Sequence, residues 1–383
     1  MSGDAVDAVD VVIVGGGVMG AATAWAVAGR GASVLLVEQH APGHQRGSSH
    51  GSSRIFRHAY AQVGYVELAR RALAGWRELE EETGREVLTL TGAVDHGEPA
   101  AVAELHATLG QAAVPCELLP PEEASDRWPG LRFDTTVLFH PDAGRLHADA
   151  AVRSLHGAAG RRGASIRLAT TVAAVDEAGD GVEVRLTSGE VISAGAAVVA
   201  AGAWASRLLG GVDGLPAMRV TVEQPAHFQP VEEATVWPSF IHHPGALLTM
   251  DRAANGVYGL AGEEGVKVGF HGIGAEIDPD LTERPIDAEA LDDLRRYAET
   301  WVPGVVSSRA EPTACLYTTT PDHDPVIDRS GAVTVLAGFS GHGFKFAPAI
   351  GALAADLALD GADPQEIFRL GSRVPRAESG MPR

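Results

Sequence analysis

Cysteine is scarce in this chain: 383 residues carry two, Cys116 and Cys315. Two cysteines make no disulfide framework and suit a reducing compartment, so a cytoplasmic location is expected. Basic charge is also short. Lys and Arg number 30 against 50 Asp and Glu, a net charge of −20. Such a surface repels nucleic acid and anionic membranes, so neither is an expected partner. Any cationic site for an acidic ligand must be local. The one long apolar run, 9–31, is interrupted by Gly15, Gly16, Gly17 and Gly20. No basic residue precedes it and it lacks a clean cleavage site, so neither a signal peptide nor a membrane span is expected. No internal repeat, low-complexity segment or metal-ligand spacing stands out.

What is present is ordinary globular material, 45% hydrophobic and 21% charged, with length for two or three domains. Residues 9–14 form a continuous apolar run that reads as a buried parallel strand. Residues 18–30 are Ala-rich and helical in character, with Gly31 as the residue that stops the helix. Residues 33–37 read as a second buried strand ending at Glu38. Strand, glycine turn, helix and strand make a βαβ unit. Further on, 42–53 reads as loop, 65–83 as an amphipathic helix, 86–96 as one strand, 98–110 as helix and 120–129 as irregular. A helix over 148–163 leads to a strand at 165–169. Short segments at 172–176, 182–186 and 191–193 read as a meander returning to a buried strand at 196–201. Strand-like runs fill 218–312 around one helix at 288–300. A strand at 333–336 and a helix over 347–359, with Pro348 in its first turn and Gly361 behind it, close the pattern.

The βαβ features recur in separate pieces, which implies two interleaved domains. One comprises 1–85, 147–215 and 315–370. The other comprises 86–146 and 216–314. Residues 371–383 read as a disordered tail.

Gly15, Gly17 and Gly20 fit G-x-G-x-x-G. The first makes the turn, the second admits a pyrophosphate, and the third lets helix and strand pack closely. The helix N-terminus then faces the phosphates. Glu38, at the end of the second strand, stands where ribose hydroxyls need an acceptor. The alternative is a tight turn with a surface glutamate. The motif alone leaves FAD and NAD both open.

The stretch His50-Gly51-Ser52-Ser53-Arg54-Ile55-Phe56-Arg57-His58-Ala59-Tyr60 concentrates cations. Arg54 and Arg57 would share a face in a helical turn, and a guanidinium holds a carboxylate bidentately. Taken alone, the stretch is as much a solvated basic face as an anion site. It resembles the H-G-x-x-R-x-x-R-H-A-Y stretch of the monomeric sarcosine oxidase and N-methyltryptophan oxidase family. Residues 315–322, CLYTTTPD, are similar to that family's flavin-attachment segment. Residues 338–345, GFSGHGFK, resemble its C-terminal signature, and 267–271, KVGFH, match in spacing. The likeness runs from the glycine turn to about Gly361. It departs at Ser52 and Ser53, where Asp-Thr is common, and matches least over 216–314.

This resemblance implies an α/β fold of two domains, a glutathione-reductase-like FAD-binding Rossmann domain interleaved with a mixed-sheet substrate domain. It implies FAD, attached through an 8α-S-cysteinyl link to Cys315, where the bland reading is a small core residue. Arg57 and Lys345 would clamp a substrate carboxylate. Tyr317, His271 and Tyr258 would line the substrate pocket, with Gly341 beside it. Lys267 would help oxygen accept electrons, and His50 and Arg54 would tune the flavin. The cofactor-binding set comprises Gly15, Gly17, Val18, Met19, Gly20, Glu38, Gln39, Ser49, His50, Ser53, Arg54, Val172, Ala201, Gly202, Trp204, Cys315, Gly341, His342, Gly343, Phe344 and Lys345. The expected catalytic residues are Lys267, Arg54, His50, His271 and Tyr317. The implied reaction oxidises a secondary amino acid, N-methyl or cyclic, to an imine while oxygen becomes hydrogen peroxide. Its partners are that small substrate and oxygen, in a chain expected to be monomeric. The alternatives are a dehydrogenase of a cyclic imino acid, an oxidase of a primary amino acid, and a flavin module without catalysis.

Overall fold

A computed structural model describes residues 9–371. Apart from Gly371, the expected tail lies outside the described residues.

The first apolar run forms the strand Val9–Val14 at the centre of an eight-stranded sheet. Val34–Val37 and Val191–Val199 flank it in parallel, and Ser165–Arg167 extends the sheet beyond Val34–Val37. On the far side of Val191–Val199, Val333–Ala337 pairs in parallel with its end, while Gly181–Leu186 pairs antiparallel with its start. The helix Val18–Gly29 is buried along most of its length because its small side chains let Ala148–Arg161 and Ala347–Ala355 pack against it. Gly31, at φ 81°, takes the left-handed turn that ends it.

A second eight-stranded sheet runs in the order Val305–Pro312, Ala226–Pro230, Gly265–Phe270, Val257–Gly262, Ser239–His242, Ala93–His96, Val137–His140, Glu117–Leu119. All pairs are antiparallel except Ser239–His242 with Ala93–His96. Alternate residues, including Val94, Phe228, Phe240, Val257, Val268 and Phe270, enter one core with Leu294, Tyr297 and Trp301 of the helix Ala288–Trp301. The period of two sends the intervening residues, Asp95, Tyr258 and Lys267 among them, to the other face.

Several local expectations change. Residues 86–96 form two strands, Leu88–Leu90 and Ala93–His96, in different sheets, because the chain turns at Gly92, φ 71°. Residues 120–129 are not irregular, since Pro121–Arg127 is a helix. Its prolines occupy the start, where an N–H is not missed, with Glu122 and Glu123 in the first turn and Arg127 in the last. The segments at 191–193 and 196–201 are one strand, Val191–Val199. Arg54 and Arg57 share no helical turn, because Arg54–Phe56 is a strand paired with Gly144–Leu146. The last α-helix ends at Ala355 and continues as one wider turn, Asp356–Asp360, before Gly361 at φ 64°.

Candidate active site

A cavity of about 730 Å³ opens at the carboxyl ends of the parallel strands. It runs from the 15–19 turn to Tyr317 and Phe344. This is the crevice where doubly wound sheets bind dinucleotides. A Cβ on Gly20 would overlap the Gly15 carbonyl oxygen, so the third glycine brings helix and turn into contact. Gly17 faces the cavity beside Ser49, whose hydroxyl accepts from the Val18 N–H at 3.1 Å. Glu38 is buried, and its carboxylate accepts from the Gly16 N–H at 2.7 Å and the His40 N–H at 2.8 Å. Those bonds fix it at the cavity wall in position to accept from sugar hydroxyls. Met19, Gln39, Val172, Ala201, Gly202 and Trp204 line the same space.

Among the wall residues that sequence reasoning missed are Asp149, Arg153 and His156. They sit on the helix Ala148–Arg161 at intervals of four and three, a polar stripe on one face. That spacing is visible in the sequence. Burial holds the His156 imidazole below its ordinary value. Four members of the expected cofactor set do not line the cavity. Gly20 packs beneath the turn. The Ser53 hydroxyl is buried without a hydrogen-bond partner among the described residues. The His342 ring lies 3.4 Å from the Tyr60 hydroxyl through Nδ1 and 3.1 Å from the His323 carbonyl through Nε2. Lys345 points to the same place.

At the far end, Cys315 opens the strand Cys315–Thr319 with its thiol on the cavity. Arg54 Nη2 lies 3.7 Å from that sulfur. The guanidinium is locked by the carbonyls of Ser53 at 2.7 Å, Ser48 at 2.9 Å and His50 at 2.7 Å. Burial, reinforced by Arg54, pushes His50 down to about 4, so its ring is neutral at neutral pH. The 338–343 turn closes this end, with Ser340 at φ 48° and Gly341 at φ 79°. A Cβ on Gly341 would overlap the Tyr317 ring, so the turn and that ring define each other's place. These groups fit a flat, partly anionic ring system: a glycine turn on one side, a fixed guanidinium and a cavity-facing thiol on another.

The second eight-stranded sheet comes close to this end through Tyr258 and Lys267, although none of its residues lines the cavity itself. Cross-strand partners share a face. Leu138, Asp95, Ile241, Tyr258 and Gly269 form one such row, and His227, Lys267 and Leu260 form the next. This is the face opposite the apolar core. Lys267 is buried, and desolvation, with Arg54 adding to it, pushes its ammonium down to about 7. Among the described residues it forms no ion pair. Burial raises the Tyr258 and Tyr317 phenols, which are neighbours. Burial also pushes His271, 5.5 Å ring to ring from Tyr317, down to about 3.

Arg57 and Lys345 come together on Tyr60. Lys345 Nζ donates to the Tyr60 hydroxyl at 2.9 Å and to the His342 carbonyl at 2.6 Å. The Arg57 guanidinium lies over the Tyr60 ring, 4.7 Å from its centre. Burial first, then Arg57, holds Lys345 well below the ordinary lysine range. Arg57 also meets Asp95 at 3.1 Å, a partner that sequence reasoning did not name. The chain has two lysines in all, Lys267 and Lys345. Both are buried.

A crevice at the carboxyl ends of parallel strands, with Cys315 and a fixed guanidinium on its wall and two buried lysines and Arg57 beyond it, suits a dinucleotide-dependent oxidoreductase. Residues 10–357 match the model of the FAD dependent oxidoreductase (DAO) family, and the chain belongs to that family. It is 34% identical over 372 residues to monomeric sarcosine oxidase of Bacillus sp. (strain NS-129), covering 94% of this chain and 95% of the relative. It is 32% identical over 371 residues to N-methyl-L-tryptophan oxidase of Yersinia pestis (strain Pestoides F), covering 94% and 97%. Its fold matches that of NikD, an amino acid oxidase essential for nikkomycin biosynthesis, with TM-score 0.82 and 25% identity over 97% of this chain and 99% of that one. The protein is thus an FAD-dependent oxidoreductase with the expected α/β fold, built on several sheets. Among the described residues no helix is long and apolar enough to cross a membrane.

Proposed function

We propose that this chain oxidises a secondary amino acid, N-methyl or cyclic, to its imine, and that oxygen becomes hydrogen peroxide. One observation carries the reading. The only two lysines of an acidic chain are both buried among further cations, Lys345 near Arg57 and Lys267 near Arg54 and Cys315. The names of the relatives at 32–34% identity support it.

Arg57 and Lys345 hold the substrate carboxylate. Tyr258, Tyr317, His271 and Gly341 form the pocket around the carbon that is oxidised. His271 stays neutral and adds no charge, while the guanidiniums of Arg54 and Arg57 supply positive charge that lowers the pKa of the substrate ammonium. A nitrogen without its extra proton has the lone pair that C–H cleavage needs. Bound FAD supplies the acceptor for the two electrons. Lys267, buried near Arg54 and Cys315, would stabilise through its ammonium form the charge that develops as oxygen is reduced. Cys315 would hold the flavin as a thioether, and His50 and Arg54 would tune it. Residues 1–85, 147–215 and 315–370 make the FAD domain, and 86–146 and 216–314 make the substrate domain. The protein works as a cytoplasmic monomer.

Anaerobic mixing of the holoenzyme with sarcosine, N-methyltryptophan and pipecolate tests the reaction. Loss of flavin absorbance with at least one of them is expected, followed on aeration by one peroxide per imine. Unchanged absorbance with all secondary amino acids overturns the reading. Bleaching without peroxide reassigns the electrons to another acceptor.

A further inference from the structure

Arg57 anchors a carboxylate in the proposed reaction, yet one edge of its guanidinium is already taken. Asp95 is fully buried, 0% exposed, and its Oδ1 lies 3.1 Å from Arg57 Nη1. His243 Nε2 lies 2.9 Å from the same oxygen. The other oxygen, Oδ2, has no hydrogen-bond partner among the described residues, and His140 Nε2 stands 3.9 Å away. Asp95 occupies the row that also holds Tyr258, so it projects from the site face of the sheet.

A buried ion pair is weak evidence for stability, because desolvation offsets its attraction. A half-satisfied carboxylate is less favourable still. Burial pushes the Asp95 carboxyl up, but Arg57 and the His243 hydrogen bond outweigh it and hold the group below its ordinary value. The carboxylate is therefore a fixed negative charge beside the residue that receives the substrate's own carboxylate. Two anions that share one guanidinium repel each other across it.

We propose that Asp95 is a positioning residue that sets carboxylate affinity. It pins one edge of Arg57, leaves the other edge to the ligand, and weakens the grip so that the product acid can leave. His243 adjusts this by donating to Oδ1, which draws part of the Asp95 charge away from Arg57. The inference rests on Arg57 as the substrate anchor.

The test titrates acetate into the holoenzyme and follows the flavin spectrum. Asp95→Asn keeps the shape and removes the charge, so acetate binds about tenfold more tightly. His243→Leu removes the donor and leaves Asp95 to act on Arg57 alone, so acetate binds about threefold more weakly. His243→Gln keeps a donor and stays near the parent. A folding defect moves both variants the same way, so opposite directions support the proposal. Equal affinities, a shift of both in one direction, or no acetate binding in the parent and Asp95→Asn alike overturn it. If Asp95→Asn yields no holoenzyme, weakening in His243→Leu with rescue in His243→Gln supports the proposal, and equal affinity in the two overturns it. Arg57→Gln separates the two claims. Parent-like acetate binding in Arg57→Gln removes the anchor reading. Lost binding there, with unchanged Asp95 and His243 variants, removes the present inference alone.

Discussion

Lys267 is the residue whose surroundings speak most directly to function. Buried next to Arg54, it titrates at about 7 instead of 10.5. An unfolded lysine keeps its proton up to 10.5, so between about 7 and 10.5 the unfolded chain binds more protons than the folded one. Stability from this residue therefore rises with pH across that window. Lys345, also held below the ordinary lysine range, contributes a rise of the same sign, so Lys267→Met should reduce the rise without abolishing it, read as the difference in urea midpoint between pH 7 and pH 9 for parent and variant. With two lysines in the chain, lysine-selective ¹³C labelling gives two side-chain signals, one of which should titrate near 7. The same variant should slow flavin reoxidation by oxygen about 100-fold, as the loss of one preorganised charge does, and leave anaerobic reduction by substrate nearly unchanged. Stopped-flow mixing of the reduced enzyme with oxygen measures this. Cys315 is tested by acid precipitation. Yellow colour should stay in the pellet of the parent and move to the supernatant of Cys315→Ser. Colour in the supernatant of both removes the covalent link and leaves the fold untouched.

Among elements, the 338–343 turn is the most constrained. Gly341 has φ 79° and no room for a Cβ against Tyr317. Gly341→Ala should cost about 2–4 kcal/mol through backbone strain and overpacking. Thermal unfolding of the holoenzyme, with the flavin spectrum as a second probe, measures the loss. This turn was legible because its glycines stand in a fixed pattern. The βαβ unit was legible for the same reason, and because buried parallel strands are continuous apolar runs. The helix Pro121–Arg127 was hidden by prolines that read as breakers but sit where a helix begins. The break at Gly92 was hidden because the residues on both sides alternate like one strand.

For the whole molecule, the register of the second eight-stranded sheet explains why Asp95 and its neighbours escaped the sequence. Asp95, His140 and His243 lie on or beside three strands far apart in the chain, and only the register of the sheet brings them together. No spacing rule anticipates that pairing. Arg54, Arg57, Lys267 and Lys345 were named through short motifs, although nothing local showed that Arg57 would meet a carboxylate of its own chain. Charge acts at this scale too. A net charge of −20 leaves the buried cations as the local feature an anionic ligand can find. Sedimentation should return one 39.8 kDa species at micromolar concentration, and a dimer would contradict the monomer proposal.

The central claim is that a carboxylate grip presents a secondary amine to the flavin. Rapid anaerobic mixing with a secondary amino acid and with its carboxamide tests it most directly, since the two differ only in the group that Arg57 and Lys345 would hold. The account predicts fast bleaching of the flavin by the acid and at least about 100-fold slower bleaching by the amide, the discrimination expected when buried charged partners go unpaired. Equal rates for the two, or bleaching by neither, would contradict it.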